Sequence, residues 1–460
     1  MKDRILSFKL LWFLFSIELL TVFFLSLNKY FDNDEIESMH AAWKIFSGQR
    51  IYMDFFEHHH PFFYYMLVPF VGMFNENAMV MIAGRVLVFL MLLLIFLVTY
   101  LMARDLFEGV TALISVVLLS ATHVFIFKAI EIRPDVPQTL FELVAVFLLF
   151  KYFKRYSLAC LILSAISFGI SFLFLQKSIF LVFMAGVILI FSDYINQIKL
   201  KDAFIFSIVF IGTLLPFYLY LVLTGQIQAY WVDNWAMNAA FIQDRFSQGA
   251  SHWEWATTTL LSDLKQNPLL WVFWMAGLFF LDSVNRKRAG AISLFLLISF
   301  ILVPIHFEQY LLPLMPLMAI IAGHAMLQIG RLLFKKNLSW VIVIIYVFYP
   351  LNSIWEHIKC PPNSDQLKEM SYALSVTKPT DFVYDPDRNF HIFRNNMDWQ
   401  NVGVQSWFKN RSGYHFNVYT LIDKFKPKII SHTAGDMSNS SIAKHYKMSD
   451  KFPDLFIRIN

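Results

Sequence analysis

About eleven stretches of this chain carry enough apolar residues and little enough charge to cross a membrane, several of them 18 residues or longer. In hydrocarbon every backbone N–H and C=O must be satisfied within the protein, so runs of this length are confined to helices. The spans fall near residues 10–27, 78–102, 110–127, 136–150, 158–175, 178–191, 203–223, 268–281, 289–305, 310–332 and 338–355. Of the 460 residues, 57% are hydrophobic and only 15% charged, a balance that excludes a soluble globular chain. The first apolar run follows Lys2 and Arg4 as in a secretion signal, yet it has full membrane length and no small-residue cleavage site follows it, so we expect it to be retained.

The basic residues set the orientation. Lys2 and Arg4, Arg104, the Lys151/Lys154/Arg155 group, Lys199 with Lys201, Arg286/Lys287/Arg288 and Arg331/Lys335/Lys336 all fall on one side of the expected spans. By the positive-inside rule that side is the cytoplasm. The segments 28–77, 128–135, 176–177, 224–267, 306–309 and the tail from 356 then face outward, and they hold nearly all the chemistry-bearing residues. The net charge of +5 comes from these short loops and forms no basic stripe with interleaved aromatics, so nucleic acid is not an expected partner. Cys160 and Cys360 lie in different regions and suggest neither a disulfide framework nor a thiolate metal site. We divide the chain into a membrane domain, 1–355, with interfacial helices in the 28–77 loop, and a small extracytoplasmic α/β domain, 356–460. In the tail, Pro361-Pro362 and short apolar runs at 382–384 and 428–431 mark a change of composition.

The first outward loop is dense in acid and imidazole. It opens Phe31-Asp32-Asn33-Asp34-Glu35 and continues Tyr52-Met53-Asp54-Phe55-Phe56-Glu57-His58-His59-His60-Pro61. A carboxylate at the membrane surface can take a proton from an acceptor hydroxyl or amine, or bind a divalent ion. The plainer reading makes Asp32 or Asp34 a helix cap. Three consecutive histidines suggest metal, but neighbours on a helix do not share a face, so Glu57 and His58 are assigned to a cavity and His59 and His60 are left undecided. A divalent metal ion is left open, and any other cofactor is unknown.

A second cluster, Glu131-Ile132-Arg133-Pro134-Asp135, enters the fourth span, where Arg133 can meet a phosphate or a loop carboxylate and Asp135 can point between helices. Gln176-Lys177 forms a turn at headgroup depth, where the lysine either neutralises a lipid phosphate or snorkels. Arg85, inside the second span, needs a partner at that depth. Glu142 lies deeper in the fourth span, and His306, Glu308 and Gln309 precede the tenth, which Tyr310 opens.

In the order and sidedness of these segments the chain resembles the GT-C superfamily of polyprenyl-phosphate-sugar-dependent glycosyltransferases, in the branch of the protein O-mannosyltransferases and the lipid A aminoarabinose transferase. The resemblance rests on Asp34-Glu35, the 48–61 segment, Arg133-Pro134-Asp135 and Gln176-Lys177, and covers most of the membrane region. It implies Asp34 as catalytic base with Glu35 in support and Asp135 as a second carboxylate. Arg133, Lys177, Arg85 and His58 would stand against the donor phosphate, and Glu57, His58 and Gln176 would line the cavity. Where the aminoarabinose branch usually has a basic residue after the acid, this chain has His58. The implied reaction is inverting transfer of a sugar from a polyprenyl-phosphate donor to an envelope acceptor (lipid A or another glycolipid, a glycan, or a protein) at the outer face of a bacterial inner membrane. The N-terminus would be cytoplasmic and the active site and tail periplasmic. No glycine-rich nucleotide loop is present, in keeping with a lipid-linked donor.

The main rival is a transporter or flippase for a lipid-linked sugar or other polar solute, which would place ionisable groups near the bilayer midplane; Arg85 and Glu142 speak for it. A third reading, a structural partner in an envelope complex, would require an exposed apolar patch on the tail.

Overall fold

The computed structural model describes residues 2–191, 200–247, 249, 251–303, 305–334, 354–355, 358–385, 390–397, 418–431 and 440–459. The chain is a predominantly helical, polytopic membrane protein with a small sheet near its C-terminus. Among the described residues, five helices are both long and apolar enough to cross a membrane: Phe8–Asn28, Val80–Leu106, Asp135–Arg155, Leu200–Leu223 and Met315–Leu332. Four other expected spans fall on shorter apolar helices, Gly109–Ser120, Leu158–Phe174, Gln176–Ile190 and Pro268–Leu278. The run at 289–305 lies on the helix Val284–Leu302. The last expected span, 338–355, lies almost wholly outside the described residues.

Two compact units emerge. The first comprises Met1–Leu27, Val86–Tyr220 and Phe246–Cys360; the second comprises Asn28–Arg85, Leu221–Arg245 and Pro361–Asn460. The tail from 361 is therefore one component of a unit that also contains the whole of the 28–77 segment.

In the first unit, helix α1 (Lys2–Asn28) leads the chain, and the apolar helices pack by close approach. The helix Pro268–Leu278 lies against Met315–Phe334 so tightly that a Cβ on Gly277 would sit 2.6 Å from the Ile321 side chain. A Cβ on Gly323 would meet Ser115 Oγ at 2.9 Å. Small residues let backbones approach where lipid gives no hydrophobic drive between helices.

In the second unit, α2 (Asn33–Phe46) packs on α3 (Phe62–Phe74); α2 is buried on all sides from Ser38 to Lys44, and α3 along Phe63, Tyr64, Leu67 and Val71. The sheet has order β2-β1-β3-β5-β4, with β1 (Phe382–Tyr384), β2 (Asn395–Asn396), β3 (Ile429–Ser431), β4 (Tyr446–Met448) and β5 (Leu455–Arg458). β1 pairs in parallel with β2 and β3, whereas β5 runs antiparallel to β3 and β4. Tyr384, Ile430, Tyr446 and Phe456 from the strands close a core with Leu421, Ile422 and Ile442 from the covering helices. Short strands with one buried face need such cover to be stable in water.

Candidate active site

The acidic opening of α2 resolves into three different jobs. Asp32 is the N-cap: its Oδ1 accepts the Asp34 N–H at 3.1 Å, and Glu35 Oε2 accepts the Asp32 N–H at 2.8 Å, completing a capping box. Glu35 is fully buried and receives the Arg85 guanidinium at 2.9 and 2.6 Å. Asp34, one residue earlier, is exposed in the first turn of the helix, where the helix dipole favours a carboxylate. The choice left open between Asp32 and Asp34 as cap thus falls to Asp32.

Arg85 holds more than Glu35. Nη1 and Nη2 donate to the carbonyls of Lys29 and Tyr30, and the guanidinium lies 4.3 Å from the centroid of the Phe31 ring. A fully buried guanidinium bonded to a carboxylate and two carbonyls organises the loop, whereas the expectation set Arg85 against a donor phosphate. Glu35, spanned by the same ion pair, likewise belongs to the framework of Asp34 and does not present a carboxylate to solvent.

Farther along the loop, Arg50 and Asp54 close on each other through Nε and Nη2 at 3.1 and 3.0 Å, leaving Asp54 a turn-forming role and holding its carboxyl below the usual range. Tyr52 adopts a left-handed backbone, φ +70, that costs a non-glycine residue energy. Its hydroxyl donates to the His59 carbonyl at 2.8 Å, which fixes the imidazole run. Glu57 is buried, and its Oε1 accepts the backbone N–H groups of His58 and His59 at 2.9 and 3.2 Å. The Nδ1 atoms of His58 and His59 stand 3.5 and 3.2 Å from the same oxygen. Because 57–60 is neither helix nor strand, the face argument from regular structure does not apply. Glu57, His58 and His59 place one donor atom each within 4.8 Å of one another, and His59 joins the cluster that the sequence left undecided. His60 turns into the core instead, 2.8 Å from the Tyr230 hydroxyl.

One member of this cluster was not anticipated. Asp233 sits in a π-helical turn, Val232–Ala236, and its Oδ2 accepts the Glu57 N–H at 3.4 Å. π turns inside helices often mark functional sites. Asn234 and Asn238 hold the carbonyls of Glu57 and His58 at 3.3 and 3.0 Å. Burial raises the Glu57 carboxyl, and burial with the neighbouring Glu57 charge raises Asp233 to about 7, so this pair resists carrying two charges without a cation. The signal in sequence is a run of Asp-Asn-x-x-x-Asn at 233–238 among tryptophans.

The first unit carries the remaining candidates. Glu131 is fully buried between Lys128 Nζ at 3.2 Å and Arg133 Nε at 3.2 Å, so Arg133 does meet a loop carboxylate. Asp135 begins the helix Asp135–Arg155 and forms a close ion pair with Lys177. Lys177 Nζ also lies 3.9 Å from the centroid of Tyr310, a cation–π contact. Gln176 belongs to the short 3-10 turn Gln176–Ser178 that presents this lysine. Glu142, one turn beyond Gln138, accepts from its amide at 3.0 Å and stays inside the helix packing.

The fold is that of the GT-C glycosyltransferases. Residues 58–222 match the family model described as dolichyl-phosphate-mannose-protein mannosyltransferase. Among solved structures the chain is similar to ArnT from Cupriavidus metallidurans bound to undecaprenyl phosphate, with TM-score 0.67, 12% identity and coverage of 97% of both chains. It is also similar to the Archaeoglobus fulgidus oligosaccharyltransferase in complex with Zn and sulfate, with TM-score 0.59, 14% identity and coverage of 91% of this chain and 67% of that one. A third similar structure is AglB from the same organism with an inhibitory peptide and a dolichol-phosphate, with TM-score 0.56, 12% identity and coverage of 98% and 74%. No curated protein matches in sequence.

Proposed function

We propose that this protein transfers a sugar from a polyprenyl-phosphate carrier to an acceptor in the cell envelope, at the outer face of a bacterial inner membrane. The observation that carries the reading is the division of labour at the start of α2. Capping falls to Asp32 and ion pairing to Glu35, while the exposed Asp34 carboxylate is held in a fixed backbone. Such a carboxylate is suited to take the proton of an acceptor hydroxyl or amine as that group attacks the anomeric carbon. The carbon–oxygen bond to the carrier phosphate breaks in the same displacement, inverting the anomeric centre, and the phosphate leaves as an anion.

Lys177 and Arg133, both cations preordered by carboxylates, are assigned to that anion. The similarity in fold to ArnT bound to undecaprenyl phosphate and to AglB with a dolichol-phosphate supports a lipid-linked donor. Pairing of Arg85 with Glu35 gives this charge a framework role, which supports an enzyme over a transporter.

Glu57, His58 and His59 fit a divalent ion, since a carboxylate and two imidazoles make a familiar donor set and their atoms already lie within reach of one another. When bound there, an ion would supply positive charge against an anionic substrate group and relieve the repulsion between Glu57 and Asp233.

The deciding experiment is sugar transfer by purified protein in lipid discs, supplied with a panel of radiolabelled polyprenyl-phosphate sugars and an envelope acceptor extract. Transfer by wild type that is absent from Asp34→Asn at equal protein level supports the reading. Equal transfer by both removes Asp34 as base, and facilitated movement of the donor across the bilayer without transfer would turn the assignment to transport.

A further inference from the structure

The backbone that carries Asp34 is held by a segment more than three hundred residues later in the chain. Residues 28–30 pair with 361–363: Tyr30 N–H donates to the Pro361 carbonyl at 3.1 Å, Asn363 N–H donates to the Asn28 carbonyl at 2.9 Å, and Lys29 and Pro362 form an antiparallel bridge. Where this pairing ends, the side chain of Gln366 continues it. Its Oε1 accepts the Phe31 N–H at 2.6 Å and its Nε2 donates to the Phe31 carbonyl at 3.1 Å. A primary amide can satisfy both backbone groups of one residue at once, as a neighbouring strand would. Gln366 is 3% exposed, in the first turn of the helix Ser364–Val376.

The next residue, Asp32, is the cap that sets the direction of α2. An amide bond pair on Phe31, Arg85 on the carbonyls of Lys29 and Tyr30, and the capping box on Asp32 therefore fix three successive links leading to Asp34. The same unit ties α2 again six residues on, where His40 Nδ1 meets the Ile392 carbonyl at 3.0 Å.

We propose that Gln366 is a positioning residue for the Asp34 carboxylate, and that the C-terminal segment serves the reaction by holding the start of α2 in register. This rests on the reading of Asp34 as the base. Gln366 touches no reacting atom; it acts through the Phe31 peptide. An error on the order of 1 Å at a reacting group costs about a hundredfold in rate, so loosening this link reads out in turnover before it reads out in binding.

The test uses full-length protein in lipid discs with Gln366→Leu, Gln366→Glu and, as a control on the same helix, the exposed Lys368→Ala. Gln366→Leu is expected to lower kcat roughly ten- to a hundredfold with donor KM within about twofold, and to speed backbone amide exchange in the peptide covering 28–40. Gln366→Glu keeps the acceptor for the Phe31 N–H but faces the Phe31 carbonyl with a second oxygen. Protonation restores its donor, so its kcat relative to wild type should recover as pH falls, a trend that general loss of packing would not produce. Unchanged exchange at 28–40, or faster exchange with unchanged kcat, overturns the proposal. So does a Gln366→Glu defect that is flat with pH. Should wild type transfer no sugar from any donor, the sugar-transfer reading fails and Asp34 positioning with it, while the exchange data alone still decide whether Gln366 holds α2.

Discussion

Arg85 and Glu35 form a two-pronged ion pair, Nε to Oε1 at 2.9 Å and Nη2 to Oε2 at 2.6 Å, with neither side chain exposed to solvent. Removing one partner of such a pair strands a buried charge, which costs about 3–5 kcal/mol. Arg85→Met should therefore lower the thermal midpoint of the purified protein strongly, and the double variant with Glu35→Gln should recover part of the loss. A loss in the double variant equal to the sum of the two singles would mean that the pair is not coupled.

Asp32 and Asp34 should separate function from stability. Asp32→Ala removes a cap and is expected to cost about 0.5–2 kcal/mol, visible as a lower melting temperature. Asp34→Asn should leave the melting temperature unchanged while reducing transfer by about a hundredfold or more. The reverse pattern would exchange the two assignments.

Lys177 is expected to act on the donor. Losing a charge-assisted contact worth about 1.5–3 kcal/mol, Lys177→Met should raise the donor KM at least roughly tenfold, and Lys177→Arg should restore part of it. Steady-state kinetics with a short-chain polyprenyl-phosphate sugar would check this, and an unchanged KM would remove Lys177 from the phosphate.

The Glu57–Asp233 pair makes stability depend on pH. Asp233 keeps its proton in the fold up to about 7, whereas an ordinary aspartate releases it near 3.8. The folded state thus binds more protons between these values, and the stability contribution is complete below about 3.8 and is lost as pH rises through about 7. Melting temperature should fall between pH 5 and pH 8 by less in Asp233→Asn than in wild type, with the residual slope coming from Glu57, whose carboxyl is also raised by burial.

A divalent ion at Glu57, His58 and His59 should reverse that trend, because it binds the deprotonated carboxylate. Zinc titration followed by elemental analysis is expected to give about one ion per chain for wild type and none for Glu57→Ala. Wild type without bound metal would leave the triad as an internal hydrogen-bonding knot.

Much of the architecture was legible because lipid demands long apolar helices and a charge bias, and both are written in composition. The acidic start of α2, the Arg133-Pro134-Asp135 helix entry and the Lys177 turn were legible as local patterns of charge beside apolar runs. The partners of those charges were not. Arg85 signalled that it needed a counterion, but nothing local says that this is Glu35, fifty residues earlier, when Asp32, Asp34 and Glu37 stand beside it. His59 was obscured because the loop 57–60 follows no helical or strand period. Asp233 depends on a π turn, which has no sequence signature, and Gln366 on a contact between residues 335 positions apart.

Pairing of residues 28–30 with 361–363 has a consequence for biogenesis. The ribosome releases residues 28–77 long before the segment that matches them, with most of the apolar helices made in between. The earlier segment must therefore wait without its partner, and its last backbone bonds close only when residues 361–363 have been made. Order of synthesis thereby acts as a quality gate: a chain that stalls or is clipped before residue 361 carries a full set of acidic and imidazole side chains yet lacks the template that arranges them.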